Sequence, residues 1–406
     1  MVPNSISKLD LVQAQLSEIP EGWQLCKVSE ALRIRNNVRK PISQEVRETM
    51  KGQYPYYGPT KIQDYISEYE QDGIYALIGE DGDHFLKYST MSQTQFISGK
   101  CTVNNHAHIL ESSDFCDSEW FFNYFKNRNI TNFLSRQGAG RFKLNKATLE
   151  KLPMLVPPLP EQRKIAQILS TWDRGIATTE KLIDASKQQK KALMQQLLTG
   201  KKRLIDPETG KAFEGECEIT SISQLITESR LAGTNGELAK KITVKLYGRG
   251  VTKKEEKRLG SESTKYYKRK SGQFIYSKLD FLNGAFGIIP QSLDGYESTL
   301  DLPAFDFTPN VIPKWFIEFV SRDDFYTSNL GLANGGRKAR RVNPKDLLQV
   351  KVRLPSLTEQ QKITSVLTAA DKEIELLAAK FTHLKQEKKA LMQQLLTGKR
   401  RVSLSS

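Results

Sequence analysis

The sequence predicts an α+β chain: two mixed α/β domains separated by two long helices, which pack as an antiparallel coiled coil about a pseudo-twofold axis. Three observations carry this. A twelve-residue segment, KKALMQQLLTGK, occurs at Lys190 to Lys201 and again, word for word, at Lys388 to Lys399. The displacement is 198 residues, Gly200 returning as Gly398, and the match continues upstream through Leu169/Leu367, Asp173/Asp371 and Ile176/Ile374. So long a period is not that of a stacked solenoid and means two similar halves. Apolar residues then recur every three or four positions through each repeated stretch, and a different Gly-, Asp- and Asn-rich block precedes each one.

At 406 residues and 38% hydrophobic, the chain can bury more than one core. Its net charge of +15 points to a polyanionic partner. Four cysteines without C-x-x-C spacing read as reduced thiols, and no apolar run reaches the roughly 18 residues of a membrane span. A cytoplasmic protein is therefore expected.

Residues 1–158 form the first domain. Ile74 to Ile78 and Ile109-Leu110 read as strands between turns, and Glu119 to Phe125 as a short helix with buried aromatics. The first spacer helix is expected at 159–200, with Pro160 in its first turn and Gly200 as its stop. Its pairing seam is Ile165, Leu169, Ile176, Ile183, Leu193 and Leu197, interrupted by Thr179, Ser186 and the charged Lys190. A turn-rich linker (201–216) leads to the second domain (217–356). The second helix (357–398) is expected to open on a capping box, Thr358-x-x-Gln361, and to pair through Ile363, Leu367, Ile374, Leu377, Phe381, Leu391 and Leu395. Each helix would be roughly 60 Å long at about 1.5 Å per residue. A basic tail, 399–406, follows.

Catalytic signatures are missing. There is no phosphate-binding Gly-rich loop with its Lys-Ser/Thr, no dinucleotide fingerprint, and no Asn/Asp-Pro-Pro-aromatic box. His106-x-His108 lacks a third ligand at metal spacing and Asp81-Gly-Asp83 reads as a turn, so no metal site is expected. Basic residues cluster instead. In the second domain Lys245, Arg249, Lys268 and Arg269 belong to a lysine-rich stretch interleaved with Tyr247, Tyr266 and Tyr267, and Arg337, Lys338, Arg340 and Arg341 follow a Gly-Gly turn. Arg136, Arg141 and Lys143 are the thinner counterparts in the first domain. These eleven residues are the candidate nucleic-acid contacts.

The chain resembles the DNA-specificity (S) subunits of type I restriction-modification systems. The carriers are Pro-x-Leu-x-Glu-Gln-x-Lys-Ile, at Pro157 to Ile165 and Pro355 to Ile363, the Leu-Leu-Thr-Gly-Lys exits, and the block layout. Tyr56-Tyr57-Gly58, Leu77 to Gly82 and Asn283-Gly-Ala-Phe-Gly287 look like segments of the family's target-recognition domains. The resemblance implies a non-catalytic subunit of a host-defence complex, each target-recognition domain reading half of a bipartite double-stranded DNA site. Two modification subunits would bring S-adenosylmethionine, and a restriction subunit, where present, ATP with Mg²⁺; this chain would hold no cofactor. Identity beyond what the seam requires marks Glu161, Gln162, Gln195, Gln196, Glu359, Gln360, Gln393 and Gln394 as candidate partner-docking residues. The rival reading is a coiled-coil DNA-bridging protein without base specificity.

Overall fold

The computed structural model describes residues 18–137, 141–206, 208–213, 217–255, 260–328, 333–334 and 341–404. Two compact units divide it: Met1–Thr178 with Phe381–Ser406, and Thr179–Lys380. The division therefore passes through both long helices, and each unit owns the first turns of one helix and the last turns of the other.

The first unit is built on a six-stranded sheet. In spatial order its strands are Arg33–Ile34, Ala107–Glu111, Gln71–Gly79, Thr94–Val103, Lys51–Tyr57 and Ile62–Ile66. All pairs are antiparallel except Lys51–Tyr57 with Thr94–Val103. The two segments predicted as strands, Ile74 to Ile78 and Ile109-Leu110, are paired neighbours, with Leu77 opposite Ile109. The predicted aromatic helix forms as Ser118–Phe125 and buries Trp120, Phe121, Tyr124 and Phe125. Its core also encloses Ile165 and Leu169 from the first turns of one long helix and Leu395 and Leu396 from the end of the other.

The second unit holds a four-stranded antiparallel sheet in the order Ile226–Ser229, Ala304–Phe307, Phe274–Tyr276 and Phe286–Ile288. A three-stranded sheet (Ala232–Asn235, Lys265–Lys268, Glu297–Ser298) and the hairpin Ile242–Val244/Val251–Lys253 accompany it. An aromatic helix, Pro313–Val320, packs Trp315 and Phe316 into a core shared with Leu197, Leu198, Ile363 and Leu367. The sheets differ between units, but the closing parts recur. Gln24–Lys27 pairs with Pro153–Val156 just as Glu218–Ser221 pairs with Lys351–Leu354, each immediately before a long helix.

The long helices run Leu159–Leu197 and Leu357–Leu395. Both stop before their glycines: Gly200 (φ +71°) and Gly398 (φ +70°) turn the chain in the left-handed region. The capping box expected on Thr358 and Gln361 does not form. The helix opens earlier, Ser356 accepting the Glu359 N–H on its hydroxyl at 3.3 Å. Within each unit the helix segments are antiparallel. In the first, Asp173 faces Lys388 at 2.5 Å; in the second, Lys190 faces Asp371 at 2.7 Å, and Ser186 donates to Glu373 at 3.4 Å.

Of the seam residues, Ile165, Leu169, Leu197, Ile363, Leu367 and Leu395 are buried, whereas Ile176, Ile183, Leu193, Ile374, Leu377, Phe381 and Leu391 are half-buried. The polar interruptions of the first seam have matched chemistry: Thr179 is buried, Ser186 has Glu373, and Lys190 lies between Asp371 and Glu318. Lys190→Ala is expected to cost about 1–2 kcal/mol, because two carboxylates lose a cation while Lys314 still touches Glu318 at 2.9 Å. Lys191→Ala, beside it but half-exposed with only a surface pair to Asp323, should change stability by less than about 0.5 kcal/mol. Urea midpoints of the two variants compare them directly.

Candidate nucleic-acid interface

In the second unit the hairpin Ile242–Val244/Val251–Lys253 and its tip carry a group of cations. Lys245, Arg249, Lys253 and Lys254 are all exposed, and a cleft of ≈ 700 Å³ beside them is lined by Thr243, Lys245, Lys253, Lys254, Glu255 and Ser292. The loop at its tip is closed by the Lys245 N–H donating to Gly250 O at 2.9 Å. It rests on the turn of the Asn283-Gly-Ala-Phe-Gly287 segment: the Tyr247 N–H donates to Asn283 O and the Gly248 N–H to Gly284 O, both at 2.9 Å.

Lys268 is exposed at the end of strand Lys265–Lys268, as a phosphate contact requires. Arg269 is not available, which corrects its assignment to DNA. It is 1% exposed, and its guanidinium donates to Ser298 Oγ at 2.7 Å, Ser229 O at 2.9 Å and Leu302 O at 3.1 Å. Burial pushes it down to about 10, against which Glu228 and Tyr267 act weakly, so it remains charged at neutral pH as an internal tie between strands.

Both units carry a second hairpin before their closing strand, Ser135–Gln137/Arg141–Lys143 and Ala333–Asn334/Arg341–Val342. Arg136 is exposed with its guanidinium 5.3 Å from the Phe142 ring, and Arg341 is exposed with Asp301 3.9 Å away. Lys143 is tied to Glu80 at 3.4 Å, and Glu80 also takes Arg39 at 3.0 Å. Arg337, Lys338 and Arg340 lie outside the described residues, as does the side chain of Arg141. The second hairpin is anchored from below by Tyr276, whose hydroxyl donates to Val342 O at 3.1 Å.

The histidines have structural partners. His108 is buried, its Nδ1 2.8 Å from Asn36 and its Nε2 2.7 Å from Leu144 O, and His106 sits 3.3 Å from Asp81. Among the described residues no group of three or more His, Cys, Asp or Glu side chains could hold a metal ion, and no helix is long and apolar enough to cross a membrane.

The docking assignment of the Glu-Gln pairs is overturned by burial. Glu161, Gln162, Glu359 and Gln360 are at most 2% exposed. Gln162 Oε1 accepts from the Asp117 N–H at 2.9 Å, capping the aromatic helix, while its Nε2 donates to Phe115 O and Pro157 O, each at 2.7 Å. Gln360 repeats this with the Ile312 N–H at 2.8 Å, Asn310 O at 3.1 Å and Pro355 O at 3.0 Å. Glu161 receives a two-pronged guanidinium from Arg401 (2.8 Å on each prong) and the Trp23 indole N–H at 3.0 Å. Glu359 receives the same fork from Arg203, at 2.8 and 2.6 Å. Each unit thus latches the start of one helix to the exit of the other. Sequence reasoning missed Arg203 and Arg401, although they recur at the same displacement just past the identical segment. Gln195, Gln196, Gln393 and Gln394 do face solvent.

The two units thus differ in their sheets while each presents exposed cations and carries the same latch at its helix ends. Residues 20–188 match the model of the type I restriction modification DNA specificity domain. The chain is 29% identical over 351 residues to the putative type I restriction enzyme specificity subunit S.HindORF215P of Haemophilus influenzae, covering 84% of this chain and 85% of that one. It is 24% identical to the type I restriction enzyme MjaVIII specificity subunit of Methanocaldococcus jannaschii, over 95% and 94% of the two chains. Among solved structures, the S subunit of a type I restriction-modification system from M. genitalium superposes with a TM-score of 0.53 at 12% identity, over 96% of this chain and 98% of that one. The HsdS subunit of Thermoanaerobacter tengcongensis does so at 0.52 and 14%, over 94% and 98%. These structures share the fold. The chain is thus similar, over most of its length, to proteins named as specificity subunits of type I restriction enzymes, and its first half matches the family's domain model.

Proposed function

We propose that the two globular blocks read the two halves of a bipartite double-stranded DNA target, with the paired helices setting the spacing between the half-sites. The observation that carries this is the contrast between the halves: helix ends latched by the same residues, beneath blocks whose sheets and cationic loops differ. The chain itself does no chemistry on DNA. Two modification subunits dock on the exposed helix faces, where Gln195, Gln196, Gln393 and Gln394 lie, bind S-adenosylmethionine and methylate a flipped-out adenine. A restriction subunit, where one joins the complex in the cytoplasm, supplies ATP- and Mg²⁺-dependent translocation and cleavage.

Mapping methylated adenines in cells with and without this gene is the test. A two-part motif that disappears with the gene is expected; an unchanged methylation pattern overturns the reading. Within the second block, Arg341→Ala should weaken binding by about 1–3 kcal/mol on the cognate half-site alone if the guanidinium meets a guanine edge. A uniform loss on every duplex, with a salt slope lower by about one, would assign it to phosphate.

A further inference from the structure

Tyr247 combines features that folding does not explain. Among the described residues it is the one non-glycine residue with positive φ, at +59°, and its side chain is 74% exposed. A bulky residue is strained in that region, whereas glycine adopts it freely, and here glycines with positive φ stand close by at Gly248 and Gly250. The ring adds nothing to the core, so the strain is not offset by burial. Strain of this kind, held in place by its surroundings, marks functional positions.

The surroundings hold it firmly. Besides the two backbone hydrogen bonds to Asn283 and Gly284, the two backbones approach closely: a Cβ at Gly284 would stand 3.1 Å from both Gly248 N and Tyr247 Cα. The Asn283-Gly-Ala-Phe-Gly287 segment is thus the seat of the loop. Along the hairpin, from Ile242 to Lys254, the sequence has four cations and no carboxylate. An exposed aromatic on a hydrogen-bonded loop within a cationic stretch matches a surface that offers phosphates outside and base faces within.

We propose that the Leu246 to Gly250 loop enters a DNA groove, with the Tyr247 ring packed on a base or wedged at a base step, as a specificity-determining contact of the second block. Lys245 and Arg249 would hold the flanking phosphates. Apolar wedges at base steps unstack and bend the duplex, so the contact favours sequences that deform easily there. This inference rests on the proposed reading of DNA by the second block.

The test uses the full chain copurified with its modification subunits, and two duplexes: the motif found by methylation mapping, and the same duplex with the second block's half-site scrambled. Tyr247→Gly is expected to bind the cognate duplex about ten- to one-hundredfold more weakly and the scrambled one within about twofold of wild type. Its melting temperature should be no lower than wild type, since glycine relieves the backbone strain. Tyr247→Phe should retain cognate binding. Unchanged cognate binding by Tyr247→Gly would remove the loop from the interface; equal loss on both duplexes would make it a phosphate contact. A Tyr247→Phe variant as weak as Tyr247→Gly would replace the ring by the hydroxyl. If the wild-type complex itself does not distinguish the two duplexes, base reading by the second block fails first, and the role of Tyr247 with it.

Discussion

Gln360→Ala is expected to destabilise the second unit by about 3–5 kcal/mol, read as a shift of its denaturant midpoint. The glutamine is fully buried, and its removal strands the Ile312 N–H and the carbonyls of Asn310 and Pro355 at once. Each buried polar group left unpaired costs about 1–3 kcal/mol, and the vacated volume adds to that. Gln361→Ala, one residue along and exposed, should stay within about 0.5 kcal/mol of wild type. Were Gln360 part of an outside docking surface, the variant would fold normally and lose its partner instead. The first unit offers the internal control, since Gln162→Ala breaks the equivalent three bonds.

The second large effect separates two neighbours of the same charge. Arg269→Ala should cost about 2–3 kcal/mol of stability: Ser229 O, Leu302 O and Ser298 Oγ lose their donor, while relief of the buried charge offsets part of the loss. Well below its melting temperature this variant should keep the wild-type salt dependence of DNA binding. Lys268→Ala is expected to do the reverse, holding stability within about 0.5 kcal/mol and lowering the salt slope by about one. Denaturant titration beside binding at several salt concentrations resolves the pair. A changed salt slope in Arg269→Ala at full folding would return that residue to the DNA surface.

These two predictions show where sequence reading runs short. Lys268 and Arg269 are indistinguishable in a basic stretch, because a strand turns successive side chains to opposite sides whatever their charge. Only the position of Ser229, Ser298 and Leu302, each about 30 to 40 residues away in the chain, decides that Arg269 faces inward. The glutamine and glutamate of each helix start are a sharper case. Their recurrence is plain in the sequence and points there to an outside docking surface. The constraint is internal: Gln162 and Gln360 cap the aromatic helices, and Glu161 and Glu359 each receive an arginine from the far end of the other helix. Those partners lie 240 and 156 positions away, beyond any local pattern.

The seam was legible because helical spacing is a local property of three or four residues. Ile165, Leu169, Ile363 and Leu367 are buried where that spacing places them, and the polar interruptions Ser186 and Lys190 have partners waiting in Glu373 and Asp371. Tyr247 stood out only as one aromatic among lysines until its backbone conformation set it apart.

The amino-acid sequence by itself determined the duplication, the two long helices and their antiparallel pairing, since repeats and periodicities are written along the chain. Tertiary structure alone decided which repeated residues are latches and which face solvent, and which of the cations are exposed and which buried. The physical reason is that burial and hydrogen-bond partnership are properties of a site in space, and here each site is assembled from segments far apart along the chain.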